Sequence, residues 1–320
     1  MLTDKKILIT GVTGKAVLPI AASLAKHNEV WGMSRFVSAQ DRERISALGI
    51  KPCAADLSLG DLSEVPADVD YLLHFAWMRG TAGEFEAAMR VNVEGAGLIL
   101  HHCRTAAAAL VTSSLAVYAA HPDPLHLYKE GDPIGPSATS NAATSPLSKA
   151  ALEAMARFCS RAFAMPVTIA RLNTVLGPQA AYHGRQIQAV LRGEEIVLPG
   201  DPNAHSPIHS DDMILHIGPL LDAAVVGGTT VNWGGDELVT SQHTLARIAQ
   251  RTGIQPNIIV RLKEGGAMGN ASDATLRKSI TGPCTIEFST GFERLLDEML
   301  PDDMNNHEKS QPLATEIKRP

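Results

Sequence analysis

Ser145 and Lys149 are the two residues whose types and spacing bear most directly on proton transfer. They lie four residues apart in the stretch TSPLSK, residues 144–149. A neighbouring cation can bring a tyrosine hydroxyl, with its reference pKa of about 10, toward neutrality. A serine hydroxyl is a far weaker acid than a tyrosine hydroxyl, so the charge of Lys149 cannot make Ser145 a proton donor near neutral pH. Ser145 can still donate a hydrogen bond or hold a water molecule.

A second chemical pattern is the glycine pair of ITGVTGKAV, residues 9–17, which follows an apolar run and precedes a helical pattern. Gly11 allows a sharp turn, and Gly14 allows the backbone to approach a pyrophosphate. The amide groups at the start of the helix then face the phosphates. Because the pair stands between a strand and a helix, it predicts a dinucleotide site.

Alternating strands and helices must position these residues. The apolar runs at 6–10, 29–34, 71–76 and 109–114 predict strands. Helical spacing at 16–27, 41–49 and 85–106 predicts the helices between them. This alternation predicts an α/β fold with a doubly wound parallel sheet, a Rossmann sheet, followed by a smaller C-terminal substrate lobe.

The later part of the chain changes character. Residues 119–145 are rich in Pro, Asp, Ser and His, and they predict a long functional loop. A helix at 149–163 and a strand at 167–173 follow. We therefore divide the chain into a dinucleotide-binding domain (1–175, with a returning segment at about 207–236), a substrate lobe (176–300) and a mobile tail (301–320).

Composition narrows the class of protein. The 320 residues carry a net charge of −6 and no long basic run, which disfavours nucleic-acid binding. The four cysteines are far apart, form no CxxC pair and are expected to be reduced. The sequence has no apolar run long enough for a membrane span. We expect a cytoplasmic protein that acts on a small molecule, without a metal site.

Six motifs in order resemble the extended short-chain dehydrogenase/reductase superfamily, which includes the NAD(P)-dependent epimerases and dehydratases. The motifs are ITGVTG, DL at 56–57, LLHFA, VNVEG, VTSSLAVY and ARLNTVLGP. PIHSDD, residues 207–212, resembles the segment that returns the chain to the main domain. Two positions depart from the pattern: Val17 stands at the third glycine, and Ser145 stands at the catalytic tyrosine.

The resemblance implies roles for individual residues. Ser114 would bind the substrate carbonyl, Lys149 would hold the nicotinamide ribose, and Ser145 would occupy the place of the tyrosine. Asn92 would be structural. With Ser34 and Arg35 from the end of the second predicted strand included, the predicted cofactor-binding residues are Thr10, Gly11, Thr13, Gly14, Ser34, Arg35, Asp56, Leu57, Phe75, Ala76 and Lys149.

The end of the second predicted strand bears on the choice of cofactor. An NAD site usually has Asp or Glu there to bind the ribose hydroxyls. This strand ends GMSRF, so Ser34 and Arg35 could instead hold a 2′-phosphate. We therefore predict NADP(H) as the preferred cofactor, with NAD(H) as the alternative.

Other residues could supply the proton that a tyrosine would carry. Tyr128 and Tyr182 are candidates, as are His121 and His126 of the long loop. Arg185 could meet a phosphate, as could Arg192. An exposed arginine on a helix is the commoner explanation for either position, so these arginines do not predict a nucleotide-sugar substrate.

Three functions follow from these features. The first is an NADP-dependent oxidoreductase for a small or medium organic substrate, with altered proton transfer. The second is a sugar-nucleotide epimerase or dehydratase, and the third is an NADP-binding sensor or scaffold with weak catalysis. The resemblance also implies a homodimer formed through the helices at 85–106 and 149–163.

Overall fold

The computed structural model describes residues 2–135, 143–178, 181–262 and 265–301. Its strands are β1 (Lys6–Thr10), β2 (Glu29–Ser34), β3 (Lys51–Ala54), β4 (Tyr71–His74), β5 (Ala108–Ser114), β6 (Val167–Leu172), β7 (Val175–Leu176), β8 (Glu195–Leu198), β9 (Ala204–His205), β10 (Ile208–His209), β11 (Thr229–Trp233), β12 (Val239–Thr240) and β13 (Asn257–Val260). Its helices are α1 (Leu18–Ala25), α2 (Ala39–Ala47), α3 (Phe85–Met89), α4 (Gly95–His102), α5 (Ser145–Phe163), α6 (Ala181–Arg192), α7 (Ser210–Asp222), α8 (Ser241–Thr252), α9 (Thr275–Thr281) and α10 (Phe288–Met299).

A seven-stranded parallel sheet in the order β11-β6-β5-β4-β1-β2-β3 forms the centre of the molecule. The chain leaves β1 toward β2 and β3, then returns to pair β4 with the other edge of β1. This reversal of strand order places a crevice beyond the carboxyl ends of β1 and β4, where ligands bind in such sheets. The predicted doubly wound parallel sheet is confirmed.

Apolar residues of β1 alternate between the two faces of the sheet. Ile7 and Ile9 join the core beneath α1 and α7, whereas Leu8 joins the core beneath α4 and α5. Because successive side chains of a strand point to opposite faces of the sheet, a continuous apolar run is typical of a strand that is buried on both faces. Both faces of the sheet are therefore covered by helices.

Three elements differ most from the prediction. The helix expected at 149–163 begins four residues earlier, at Ser145, since Pro146 fits its first turn. The helix expected at 85–106 consists of α3, a π-helical turn over Arg90–Glu94, and α4. The short edge strand β3 was not predicted; it contains Pro52, which only an edge strand tolerates well.

The segment after β6 builds a third apolar cluster, to which α6, α8 and α10 contribute Ile187, Leu245 and Phe292. Between these elements, α7 returns to the main sheet and β11 pairs with β6. The division at residue 175 stays a prediction. Of the tail predicted at 301–320, residues 302–320 lie outside the described residues. Within the described ranges, no helix combines the length and the apolar character needed to span a membrane.

Candidate active site

The glycine turn after β1 brings the ends of β1 and β4 into close contact. Gly11 has a φ of +70°, and a Cβ on it would lie 3.0 Å from the backbone of Ala76. The Gly14 amide donates to the Gly11 carbonyl at 2.9 Å, which closes the turn before α1. A side chain at position 11 would therefore be strained and would collide with the chain leaving β4.

Most of the predicted cofactor residues line one groove of about 730 Å³ beside this turn. They are Gly11, Thr13, Gly14, Ser34, Arg35, Asp56, Leu57, Phe75 and Ala76. The Asp56 carboxylate accepts hydrogen bonds from the amide and hydroxyl of Ser58, which hold its pKa below the ordinary value. The glycine turn and the polar residues that line the groove fit a dinucleotide.

Thr10 lies beneath this groove and does not line it. Its buried hydroxyl accepts hydrogen bonds from the amides of Phe75 and Ala76, at 3.1 Å and 3.0 Å. The same hydroxyl lies 2.9 Å from His74 Nδ1. Thr10 therefore shapes the floor of the groove, and its assignment to the cofactor site stays a prediction.

A cavity of about 390 Å³ continues from the groove. Its lining includes all three predicted catalytic positions, Ser114, Ser145 and Lys149. The residues shared by the groove and the cavity are Lys15, Ala16, Val17, Phe75, Trp77, Arg79 and Ala181. A ligand in the groove can thus extend its reactive end into the cavity. When bound, a nicotinamide would supply or accept hydride there.

Two elements position the three catalytic candidates. Ser114 ends β5, and its hydroxyl oxygen accepts from the Ala116 amide at 3.2 Å. Ser145 and Lys149 lie one turn apart on α5, so they share one face of the helix. The Lys149 ammonium donates to the Thr112 carbonyl at 2.6 Å. Burial lowers the pKa of Lys149 to about 7, and the charge of Glu153 opposes this effect.

The chain that leaves β4 contributes two cavity residues, Trp77 and Arg79, that the sequence did not reveal. Asn92 holds this segment, because its side chain accepts from the Met78 amide at 2.6 Å and donates to the Met78 carbonyl at 2.9 Å. The position of the segment just after a central strand was the available signal, since loops at that edge gather around the ligand.

Of the alternative proton donors, the structure brings only Tyr182 to the described cavity lining. Its hydroxyl lies 2.7 Å from Ser241 Oγ and 3.1 Å from His205 Nε2. Burial raises the pKa of Tyr182 above the ordinary value. The phenol is therefore a weak acid within a hydrogen-bonded network.

The residues of the long loop lie elsewhere. Tyr128 is buried against Tyr118, with ring centroids 4.8 Å apart, and its hydroxyl donates to the Ala119 carbonyl at 3.0 Å. His121 and His126 stack at 3.8 Å, and His126 Nε2 lies 2.8 Å from Asp132. None of these three candidates lines the cavity. Residues 136–142 of the same loop lie outside the described ranges.

The two arginines predicted as phosphate ligands have different surroundings. Arg185 lines the cavity together with Arg79. Partial burial is the main cause that lowers the pKa of Arg185, and the charge of Arg79 lowers it further. The two guanidinium groups therefore repel each other. Arg192 lies at the other end of α6, is largely exposed, and is 3.7 Å from Glu194. Arg185 is thus the candidate for an anionic ligand, and Arg192 is a surface residue.

A compact group of polar side chains lies away from the cavity. Ligand atoms of Asp212, His216 and Cys284 are within 4.8 Å of one another. The Asp212 carboxylate, however, accepts hydrogen bonds from the Thr285 amide and hydroxyl, both at 2.7 Å, and from the Ile286 amide at 3.2 Å. These bonds satisfy the carboxylate without an ion, so this group ties the chain after α9 to α7.

A glycine turn at the reversal point of a parallel sheet, a groove beside it and a Ser/Lys cavity define the class as dinucleotide-binding Rossmann enzymes. Residues 7–234 match the family model described as "NAD dependent epimerase/dehydratase family". The chain therefore belongs to this family and is an NAD(P)-dependent enzyme.

Solved structures share the fold over nearly the whole chain. UDP-glucuronic acid 4-epimerase from Bacillus cereus, in complex with UDP-glucuronic acid and NAD, aligns at a TM-score of 0.79 and 20% identity, covering 92% of this chain and 98% of that one. dTDP-glucose 4,6-dehydratase from Bacillus anthracis, in complex with NAD, aligns at 0.76 and 18% identity, covering 92% and 96%. A search of curated proteins found no match.

Proposed function

We propose that the chain is an NADP(H)-dependent oxidoreductase for a small or medium organic substrate, in which Ser145 alters proton transfer. The observation that carries this proposal is the continuity between the glycine-turn groove and the cavity around Ser114, Ser145 and Lys149. At the junction, hydride would pass from the reduced nicotinamide to a carbonyl carbon held near Ser114, or from a hydroxyl-bearing carbon held there to the oxidised nicotinamide. Measurable oxidation of NADPH by a carbonyl substrate would separate this function from that of a sensor or scaffold.

The groove supports NADP(H) through Arg35. Arg35 is exposed in the groove, and Ser34 Oγ lies 3.1 Å from Thr13 Oγ1 beside it. Asp56 is the acidic residue in the described groove lining, and it follows β3 rather than β2. A 2′-phosphate at the end of β2 would therefore meet a guanidinium and hydroxyl groups instead of a carboxylate.

The first prediction concerns Arg35→Ala. A hydrogen bond to a charged group contributes about 1.5–3 kcal/mol, so loss of Arg35 should weaken NADPH binding at least tenfold and change NADH binding less than threefold. Fluorescence titration with both cofactors measures the effect. Arg42→Ala is the matched control, because Arg42 is exposed seven residues later and pairs with Glu64. Equal affinities of the unaltered protein for NADPH and NADH would contradict the proposal.

A sugar-nucleotide epimerase or dehydratase is the second candidate function. It is favoured by Arg79 and Arg185, which line the cavity and have no carboxylate within 4.0 Å among the described residues. Two opposed cations in one cavity would be stabilised by an anionic substrate. The solved relatives named above act on UDP- and dTDP-sugars, whose diphosphate groups are anionic.

Binding of UDP-glucuronic acid to the NADP-loaded protein tests this second candidate. Arg185→Gln should weaken the binding at least tenfold, since each hydrogen bond to a charged group contributes about 1.5–3 kcal/mol. Arg192→Gln, a control on the same helix, should change it less than twofold because this side chain is exposed and lies outside the cavity lining. Failure of the unaltered protein to bind UDP-sugars would exclude this candidate.

We also propose that the protein is a homodimer. Leu98 on α4 is 42% exposed, and Leu147 and Phe158 on α5 are 58% and 63% exposed. The two helices lie side by side, with Met155 against Gly97. Apolar side chains on adjacent helices suit a four-helix contact between two copies.

The dimer should dissociate when charge enters this contact. Phe158→Glu is expected to give a monomer at micromolar concentration, because a dimer would bury its carboxylate. Leu262→Glu is the control, since Leu262 is 65% exposed in the second lobe. Multi-angle light scattering measures the masses. A monomeric unaltered protein would contradict the prediction.

A further inference from the structure

The Lys149 side chain occupies an unusual position for a lysine. It is 5% exposed, and its Nζ lies 5.6 Å from the centre of the Trp77 ring. Its ammonium donates a hydrogen bond to the neutral Thr112 carbonyl. Two neighbouring polar atoms, Trp77 Nε1 and Thr112 Oγ1, are buried without a hydrogen-bond partner among the described residues. A ligand in the cavity would satisfy these atoms and contact the amine.

The carboxylate nearest to Lys149 along α5 is committed to other partners. Glu153 lies one turn after Lys149 and accepts two hydrogen bonds from Arg171, both at 2.8 Å. It also accepts from Ser113 at 2.7 Å and from Arg157 at 3.3 Å. Glu153 therefore acts on Lys149 only through its charge, which the buried Arg171 offsets.

Among the described residues, His74 on β4 is a second titratable group close to the Lys149 amine. The Thr10 hydroxyl accepts from two amides, so its own hydrogen points to His74 Nδ1, which must be unprotonated. Burial lowers the pKa of His74 to about 3, and the charge of Lys149 adds to this. His74 is thus neutral and does not compete for the proton.

Other titratable groups in the described cavity lining do not suit proton transfer. An arginine does not release its proton in proteins, which excludes Arg79 and Arg185. Lys15 is exposed at the mouth of the cavity. The Tyr182 hydroxyl belongs to the network with Ser241 and His205. Lys149 is left as the group that can gain and lose a proton next to Ser145 and Ser114.

We propose that Lys149 itself transfers the proton that accompanies hydride transfer, because Ser145 stands where a tyrosine would carry it. This inference rests on the proposed function. Reduction of a carbonyl adds a hydride to carbon, which the reduced nicotinamide supplies, and a proton to oxygen. The N–H bond of the Lys149 ammonium breaks as the O–H bond of the alcohol forms, leaving a neutral amine that takes its next proton from solvent. Oxidation reverses these steps.

The first test needs no substrate. Because burial places the pKa of folded Lys149 at about 7 and that of an unfolded lysine is about 10.4, the unfolded chain binds more protons between these values. Stability of the unaltered protein should therefore rise with pH there, relative to Lys149→Met. We expect the ratio of the two unfolding constants to change by up to about tenfold per pH unit above pH 7. Lys26→Met is the control at an exposed lysine: the ratio of its unfolding constant to that of the unaltered protein should stay constant over the same pH range.

Nuclear magnetic resonance gives a second readout in the intact protein. The ¹³Cε shift of Lys149, assigned by its loss in Lys149→Arg, should titrate at a pH of about 7. This measurement holds even where Lys149→Met does not fold. Titration near the ordinary lysine value of about 10.4 would overturn the inference and leave the proposed function intact.

The second test is NADPH-dependent reduction of 4-nitrobenzaldehyde at saturating NADPH. The rate of the unaltered protein should be constant below a pH of about 7 and fall tenfold per unit above it, because the ammonium is the acid. Lys149→Arg should lose at least tenfold, and adding Ser145→Tyr should restore the rate. An unchanged rate in Lys149→Arg would overturn the inference. Absence of NADPH oxidation with every carbonyl probe would overturn the proposed function and this step with it, whatever the titration of Lys149.

Discussion

Ser145→Tyr is expected to raise reduction of simple aldehydes and ketones at least tenfold. The new ring would start from the first turn of α5, one turn before Lys149, and would extend into the cavity of about 390 Å³. The buried ammonium would lower the pKa of the phenol, and a positioned acid contributes about 10² to 10⁴ in rate. We expect the lower part of this range or less, because Lys149 already supplies some proton transfer and the ring must fit beside Trp77.

Ser145→Phe is the matched control for this prediction. It adds the same ring without a hydroxyl, so it should give no increase. Initial rates at saturating NADPH, with cofactor affinity measured in parallel, compare the three proteins. An equal increase in both variants would show that the ring acts by filling space. No increase in a tyrosine variant whose crystal structure shows the ring in the cavity would contradict the role assigned to position 145.

Arg171→Met is expected to destabilise the protein by about 3–5 kcal/mol, because it leaves a buried carboxylate without its main partner. Arg171 and Glu153 are 2% and 1% exposed, and two parallel hydrogen bonds join them. Arg171 also donates to the Tyr118 hydroxyl at 2.8 Å and to the Glu130 carbonyl at 3.1 Å. The pair connects β6 to the helix that carries Ser145 and Lys149.

The pH dependence of this loss follows from the sign of the shift. Burial acts to raise the pKa of Glu153, but Arg171 and the other partners hold it below the ordinary value. In the unaltered protein the stability contributed by Glu153 is therefore present above a pH of about 4.3 and is lost as pH falls further. Without Arg171 the carboxyl favours its protonated form, so the deficit of the variant should be largest at neutral pH and smaller near pH 4.

Urea denaturation at several pH values measures the deficit. Arg157→Met is the control, because Arg157 is 30% exposed and contacts Glu153 at 3.3 Å; its loss should cost less than about 1 kcal/mol. The double variant Glu153→Gln, Arg171→Met should recover part of the stability, since it removes the stranded charge. Similar losses for Arg171→Met and Arg157→Met would show that burial of the ion pair is not the cause.

The sequence predicted those parts of the fold that depend on local pattern. The apolar runs with helical segments between them were sufficient for the parallel sheet, and the glycine turn located the groove. The sequence predicts the start of α5 at Lys149, because residues 119–145 are rich in Pro, Asp, Ser and His and predict a loop. Pro146, however, is compatible with a first helical turn, where its missing amide has no intrahelical acceptor.

The cavity was predicted less completely, because it is assembled from segments far apart in the chain. Trp77 and Arg79 have no pattern of their own, and Asn92 positions them from a different element. Tyr182 and Tyr128 were equivalent in the sequence, yet only Tyr182 reaches the described cavity lining. The low acidity of the hydroxyl at position 145 was evident from its residue type, whereas the burial that lowers the pKa of Lys149 depends on the tertiary packing.

Transfer of deuterium from NADPH labelled at the transferable C4 position to a carbonyl probe tests the central claim most directly. Mass spectrometry of the alcohol product follows the label. If the chain is a hydride-transfer enzyme with an altered proton donor, the unaltered protein should label the product slowly and Ser145→Tyr should label it at least tenfold faster. Tight binding of NADPH by both proteins with no label in the product would contradict this function and favour a cofactor-binding sensor.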